Sequence, residues 1–154
     1  LSVFTQAVYA LAERNIPVVV HIILGLPGES RETVLRTIDY LNRLPIQGVK
    51  LQLLHVLSDS DLADLYRAGE YPPLEKEEYL TLVGDCIAHL RADIVLHRLT
   101  GDGDKNTLLA PLWSLRKRDV LNHLHRYLRE NHIRQGMSCK IDLSVIYNKP
   151  KDVL

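Results

Sequence analysis

Cysteine is scarce in this chain of 154 residues. There are two, Cys86 and Cys139, with no Cys-x-x-Cys spacing. Two isolated thiols make no disulfide framework and suit a reducing compartment, so the expected location is the cytoplasm. They cannot hold an iron–sulfur cluster, which takes three or four thiolates. Long apolar runs are missing as well. The longest, Val18 to Leu24, is interrupted by His21, well short of the roughly 18 residues of a membrane span, so no membrane role is expected. No basic-then-apolar leader opens the chain. Aromatic residues make up only 6%, which leaves no aromatic-rich platform for stacking RNA bases. Three catalytic signatures are absent: Gly-Lys-Ser/Thr after a glycine-rich loop, His-Glu-x-x-His, and Gly-x-Ser-x-Gly.

The overall composition is that of a globular domain, with 46% hydrophobic and 25% charged residues. A chain of this length buries about 70% of its unfolded surface, enough for one core. Net charge is zero but unevenly spread. Residues 1–110 carry ten Lys/Arg against fifteen Asp/Glu, and residues 111–154 carry nine against four. The basic tail is either a solvated helix face or a surface for an acidic partner. The chain starts at Leu1 inside a helical pattern, with Phe4, Ala7, Val8 and Leu11 at helical spacing. It is therefore expected to be part of a longer polypeptide.

The first helix is predicted to end near Asn15. Val18 to Leu24 then reads as a strand buried on both faces, the mark of a parallel sheet covered by helices. The turn Gly25-Leu26-Pro27-Gly28-Glu29 leads to Ser30, a candidate N-cap, and a helix marked by Val34, Leu35, Ile38 and Leu41. Val49 to Val56 is a second strand. A short helix carrying Leu62, Leu65 and Tyr66 stops at Gly69. Tyr79, Leu82, Val83, Cys86, Ile87 and Leu90 mark the clearest helix, and Ile94 to Leu99 a third strand. A last long helix carries Val120, Leu121, Leu124, Tyr127 and Leu128, and Val145-Ile146-Tyr147 reads as a small added strand. Alternation of this kind predicts a parallel α/β sheet, with too few strands for a closed eight-fold barrel.

In such folds ligands sit at the carboxyl ends of the strands, which selects three loops. Gly25 to Glu29 allows close backbone approach to a ligand, and reads equally as a tight strand-to-helix turn. In the second strand, alternation puts Leu51, Leu53 and His55 on one face and Gln52 and Leu54 on the other. Gln52 and His55 are either pocket residues or hydrogen-bonded core residues. The third loop, His97-Arg98-Leu99-Thr100-Gly101-Asp102-Gly103-Asp104-Lys105, combines an acid/base candidate, cations and carboxylates. Its Asp102-Gly103 reads equally as a turn. His21, His55 and His97 lie on three strands and could converge on a metal, but the seven histidines lack metal-ligand spacing and no metal site is expected.

The three loops together resemble a known family. His21-Ile22-Ile23-Leu24-Gly25-Leu26-Pro27-Gly28-Glu29 is similar to the fifth-strand motif of radical S-adenosylmethionine (SAM) enzymes, with His21 in place of the motif's first glycine. Lys50 to Leu57 resembles the sixth strand. Asp61-Leu62-Ala63, Tyr66, Glu77-Glu78-Tyr79, His97 to Gly103 and Ala110 to Leu115 are similar to the Elp3-like, YhcC-type subgroup. The resemblance covers most of residues 5 to 128. It implies an α/β fold that is the C-terminal half of a partial (β/α)6 TIM-like barrel over residues 1–110, with a basic helical extension and tail over 111–154.

The resemblance also implies SAM and a 4Fe-4S cluster in the parent enzyme, the cluster being held by cysteines this chain does not contain. The cluster cleaves SAM reductively to a 5′-deoxyadenosyl radical that takes a hydrogen from the substrate. Carried over, Ile23, Gly25, Leu26, Pro27, Gly28 and Glu29 shape the adenine side of SAM, and His55 and Val56 close it. His21, Gln52, His97, Arg98, Thr100, Asp102 and Lys105 are the substrate-pocket candidates, the substrate being unknown. The expectation is a fragment inactive alone, with half-barrel edges open to another copy. Two alternatives stand beside it: a non-catalytic module contacting RNA or a protein through the basic helix Arg116 to Arg134, and an independent α/β metalloenzyme using His21, His55 and His97.

Overall fold

The computed structural model describes residues 1–101, 103–141 and 146. Asp102, Val145 and Tyr147 lie outside the described residues, so one candidate site residue and the small added strand have no structural account.

The chain runs α1 (Ser2–Glu13), β1 (Val19–Leu24), α2 (Arg31–Leu41), β2 (Gly48–Leu53), β3 (Val56–Leu57), α3 (Asp61–Arg67), α4 (Lys76–His89), β4 (Val95–Arg98), β5 (Leu108–Ala110), a 3-10 turn (Leu112–Leu115) and α5 (Lys117–Glu130). The punctuation follows local chemistry. Ser30 caps α2, its hydroxyl accepting from Thr33 N at 3.3 Å. Glu78 reaches back to the amide of Glu75 at 2.9 Å, half of a capping box at the start of α4. Gly69, at φ +75, follows the end of α3, where a left-handed residue stops a helix.

Strands β1, β2 and β4 form a parallel sheet in the order β1-β2-β4. In β1 and β2, Val19 pairs with Gly48, His21 with Lys50 and Ile23 with Gln52. One face of this sheet carries Ile22, Leu24, Val49, Leu51 and Leu53. These residues join Val34, Ile38, Tyr79, Val83, Cys86, Ile87 and Leu90 from α2 and α4 in a single core. The opposite face is open. Val19, His21, Ile23, Val95 and His97 are all exposed there, so β1 is buried on one side only, contrary to the reading from its unbroken apolar run. No element among the described residues covers that face.

The second predicted strand is also interrupted. It leaves the main sheet after Leu53, where Leu54 N still donates to Leu24 O at 3.0 Å. It resumes as β3, which pairs antiparallel with β5 through Val56–Ala110 and Leu57–Leu108. The interruption takes His55 out of the alternation of Leu51 and Leu53. This small sheet and α3 share a second cluster of Val56, Ala63, Tyr71 and Ala110.

Helix α5 packs on α4. A β-carbon at Gly84 would lie 2.8 Å from Tyr127 Cε1, so the glycine is what lets the two helices approach. Lys76 Nζ bridges to Asp119 Oδ2 at 2.6 Å and touches His123 Nδ1. The rings of Trp113 and Tyr79 sit 5.6 Å apart. At the other end of the core, buried Asn42 bonds the carbonyl of His89 at 2.7 Å and the amide of Arg91 at 2.9 Å. Arg91, 2% exposed, returns a bond to Asn42 O and bridges Asp93 at 3.1 Å. No helix among the described residues is long and apolar enough to cross a membrane.

Candidate functional site

The open face of the sheet gathers much of the expected site. His21 and Ile23 on β1, Lys50 and Gln52 on β2, and His97 on β4 all project to this side. Parallel pairing sets His21 beside Lys50 and Ile23 beside Gln52. On β4 the register slips by one residue, so that Arg98 rather than His97 pairs with Lys50. Slips of this kind re-aim side chains. His97 consequently lies over Gly48, where a β-carbon would come within 2.5 Å of His97 Nε2 and 3.0 Å of Val19 Cγ2. Gly48 is thus a requirement of the face, and Lys50 is a member of it that sequence reading passed over. The signal was present in both: a glycine at a strand start and a lysine inside an apolar strand.

At the carboxyl end of β1, the Gly25–Glu29 loop is fixed by its own side chains. The Glu29 carboxylate accepts from the amides of Gly25 at 3.0 Å and Leu26 at 3.3 Å, and Glu29 N donates to Leu26 O at 2.9 Å. Gly25 has φ +90 and Gly28 φ +71, both favouring glycine. Tyr71 donates its hydroxyl to Gly25 O at 2.6 Å. A β-carbon at Gly25 would sit 3.0 Å from Leu74 Cδ1. Burial, and then the charge of Glu29, push the Tyr71 hydroxyl above its ordinary pKa, which keeps it a donor. Leu26, Pro27 and Gly28 are left exposed at the tip. Tyr71 and Leu74 flank Pro72 and Pro73 between α3 and α4, outside any periodic pattern, and their role here carried no sequence signal.

His55 lies against the third loop. β-carbons at Gly101 and Gly103 would come within 2.4 Å of His55 Cε1 and 3.1 Å of His55 Nδ1. The two glycines make the bed for this imidazole. Val56 is fully buried in the β3–β5 pairing. Arg98, Leu99 and buried Thr100 line a cleft of about 360 Å³ with Leu96, His97, Lys117 and Leu121. Lys105 stands apart from these, exposed in a turn that Asp104 caps through the Asn106 amide at 3.1 Å.

The cysteines do not fit a cluster. Cys86 is buried in the α2–α4 core, where desolvation pushes its thiol up to about 12, and Cys139 lies beside Asn42. A thiolate is the ligand form, and burial disfavours it. No group of three or more His, Cys, Asp or Glu able to hold a metal occurs among the described residues.

A parallel half-sheet with helices on one side, an open inner face and glycine-rich strand ends defines the back part of a radical SAM barrel. Residues 46–130 match the family described as the Radical_SAM C-terminal domain, and the chain belongs to that family. It is 32% identical over 133 residues to the uncharacterized protein YtqA of Bacillus subtilis, covering 86% of this chain and 41% of that protein. It is 33% identical over 121 residues to protein YhcC of Escherichia coli, covering 79% and 39%. The protein MJ0486 of Methanocaldococcus jannaschii is 32% identical over 137 residues, covering 88% and 42%. The chain thus spans about two-fifths of the length of these relatives. Its fold matches the structure of the archaeal Methanocaldococcus infernus Elp3 with N-terminus deletion (1-46), with a TM-score of 0.69 and 16% identity over 84% of this chain and 31% of that one.

Proposed function

We propose that this chain supplies the adenine side of the SAM pocket and part of the substrate pocket of a radical SAM enzyme, and that it is inactive alone. The observation that carries the reading is the open sheet face, on which apolar Val19, Ile23 and Val95 alternate with His21, Lys50, Gln52 and His97 beside the Gly25–Glu29 loop. A flat aromatic base fits apolar strand positions bordered by fixed polar groups. Ile23 and Gly25 would line the base, Leu26 to Glu29 would form its edge, and His55 and Val56 would close the site from the next strand. His21, Gln52, His97, Arg98 and Thr100 would face the substrate. SAM bound to a reduced cluster supplies hydrogen abstraction. The residues of this chain bind, orient and exclude water.

The test is SAM binding by equilibrium dialysis on the intact protein, with cluster content read from its visible spectrum. Ile23→Ala and Gly25→Val should weaken SAM binding about tenfold or more while the cluster stays, because neither residue is a thiolate ligand. Unchanged SAM affinity in both variants would remove the adenine assignment.

A second reading has its own observation. Helix α5 exposes Lys117, Arg118, His125, Arg126 and Arg129 on its outer side. This is the surface a module binding RNA or an acidic protein would use. RNA affinity that falls steeply with salt and drops in Arg118→Ala and Arg126→Ala supports it. Salt-insensitive or absent binding removes it.

A further inference from the structure

Lys50 is the one fixed cation that the open sheet face carries among the described residues, and strand chemistry does not account for it. Lysine is depleted in strands, and β2 is the central strand of three, paired along both edges. Lys50 is half-buried there. Its neighbours follow from the register. His21 stands beside it on β1. The His97 ring lies over Gly48, two positions earlier on the same face, and Gln52 stands two positions later. All three can donate a hydrogen bond, and none is an acid. Strands β1, β2 and β4 contain no Asp or Glu at all, although residues 1–110 carry fifteen acids against ten bases. The acids that flank these strands are engaged elsewhere: Glu29 clamps the amides of Gly25 and Leu26, and Asp93 bridges Arg91. His21, Lys50, Gln52 and His97 have no side-chain hydrogen bond or ion pair among the described residues.

An ammonium group only donates, so it needs an acceptor or water. On the open face water serves it. Exposed Val19, Ile23 and Val95 on the same face mark a surface built to be covered. Once covered, an ammonium without a counter-charge is costly. A permanent ion pair inside the protein gains little over a packed apolar residue. A lysine at this position therefore fits a counter-charge that comes and goes. Two residues of strand span about 7 Å, within reach of the four-carbon lysine stem. The charge can thus serve the level of Ile23 and Gln52, where the base is proposed to lie.

We infer that Lys50 is an anion-binding residue of the substrate pocket: it pairs with a carboxylate or phosphate of the substrate, and His21, His97 and Gln52 surround that group with neutral or cationic donors. The substrate class is therefore an anionic molecule, held by a charge-assisted bond on the strand next to the proposed adenine side. The inference deepens the substrate-pocket reading above and rests on it for the face that the substrate meets.

The test is pulse labelling of the intact protein with an amine-selective reagent, read at Lys50 by mass spectrometry, with inorganic phosphate and acetate as separate probes at low ionic strength. Lys50 is expected to label readily and to be slowed several-fold, saturably, by at least one of the two anions. The tighter anion names the group. Lys140, exposed beyond α5, should label at one rate throughout. By calorimetry, Lys50→Met should lower the affinity for that anion about tenfold, the worth of a hydrogen bond to a charged group. Lys50→Arg should keep most of it, and Lys140→Met all of it. A Lys50 that resists labelling with no anion present would mean that a group of the protein already holds it, and would overturn the inference. Ready labelling that neither anion slows would overturn it too. SAM affinity measured on the same variants separates this idea from the cofactor reading. Lys50→Met should leave it unchanged; a fall equal to the loss of anion affinity would assign Lys50 to the cofactor's own carboxylate and end the substrate assignment. If Ile23→Ala and Gly25→Val spare SAM affinity while an anion still protects Lys50, the adenine reading fails and the anion site survives it.

Discussion

The two faces of the three-stranded sheet are made by the same strands and obey different rules. Ile22, Leu24, Val49, Leu51 and Leu53 point one way and join a single apolar core with side chains of α2 and α4. Their alternating neighbours His21, Ile23, Lys50 and Gln52 point the other way and mix types freely. On the covered face every side chain is chosen for volume, because interiors are close-packed. On the open face a histidine, a lysine and a glutamine are tolerated because nothing here strips their water. Yet Val19, Ile23 and Val95 stand exposed among them, Ile23 at 43% and Val95 at 57%. A solvated face of an antiparallel sheet would carry polar residues at those positions. The mixture is that of a face built to be covered by something partly polar.

Truncation should separate the faces most sharply. Leu51→Ala removes a fully buried side chain and is expected to cost about 2–5 kcal/mol in urea unfolding of the intact protein. Ile23→Ala on the open face should cost less than about 1 kcal/mol while weakening SAM binding. If the two stabilities fell equally, the open face would be core and the contrast would collapse.

The covered side ends in a buried polar pair, Asn42 and Arg91, and it gives the next effect. Asn42→Ala leaves the amide of Arg91 and the carbonyl of His89 without the partner each now has. Unmade buried bonds of this kind cost about 1–3 kcal/mol each, so a loss of about 2–4 kcal/mol is expected by thermal unfolding. A smaller change would mean that water replaces the side chain and that this end of the core is wet. Glu29→Ala should come next, at about 1–2 kcal/mol, because it frees two amides at an exposed loop where water can serve them. SAM affinity should fall in the same variant, since the loop loses its own clamp.

Legibility in the sequence followed the same division. Helix periodicity gave α2 and α4 because their apolar stripes meet a single core. Ser30 and Gly69 marked helix ends because caps are local chemistry. The rule that strand ends carry sites selected the loops after β1, β2 and β4, His97 among them, while Ile23 was named only through the family resemblance. What failed was non-local. An apolar run such as Val18 to Leu24 states that both faces are to be covered, and cannot state that one of them is left open among the described residues. The break after Leu53 depends on β5, three residues to which no sequence pattern assigns an element, which draws Val56 and Leu57 away. The single-residue slip at His97 is set by pairing with β2, and no alternation rule announces it. Tyr71 reaches Gly25 across 46 positions through a Pro-Pro segment with no periodicity to read.

That last contact gives the smallest prediction. Tyr71→Phe keeps the buried ring and deletes one hydroxyl, so only the 2.6 Å bond to Gly25 O is lost. A net loss of about 1 kcal/mol is expected from thermal unfolding, since Gly25 is half-buried and water can reach part of its carbonyl. The informative reading is SAM affinity beside stability. If Gly25 borders the base, loosening its carbonyl should slow no chemistry directly but should weaken SAM binding by about the same 1 kcal/mol, roughly fivefold. A stability loss with SAM affinity unchanged would place Tyr71 wholly in the service of the fold and move the base away from Gly25. Loss of both in proportion would tie the glycine loop to the open face as one surface, held from behind by a residue that never touches the ligand.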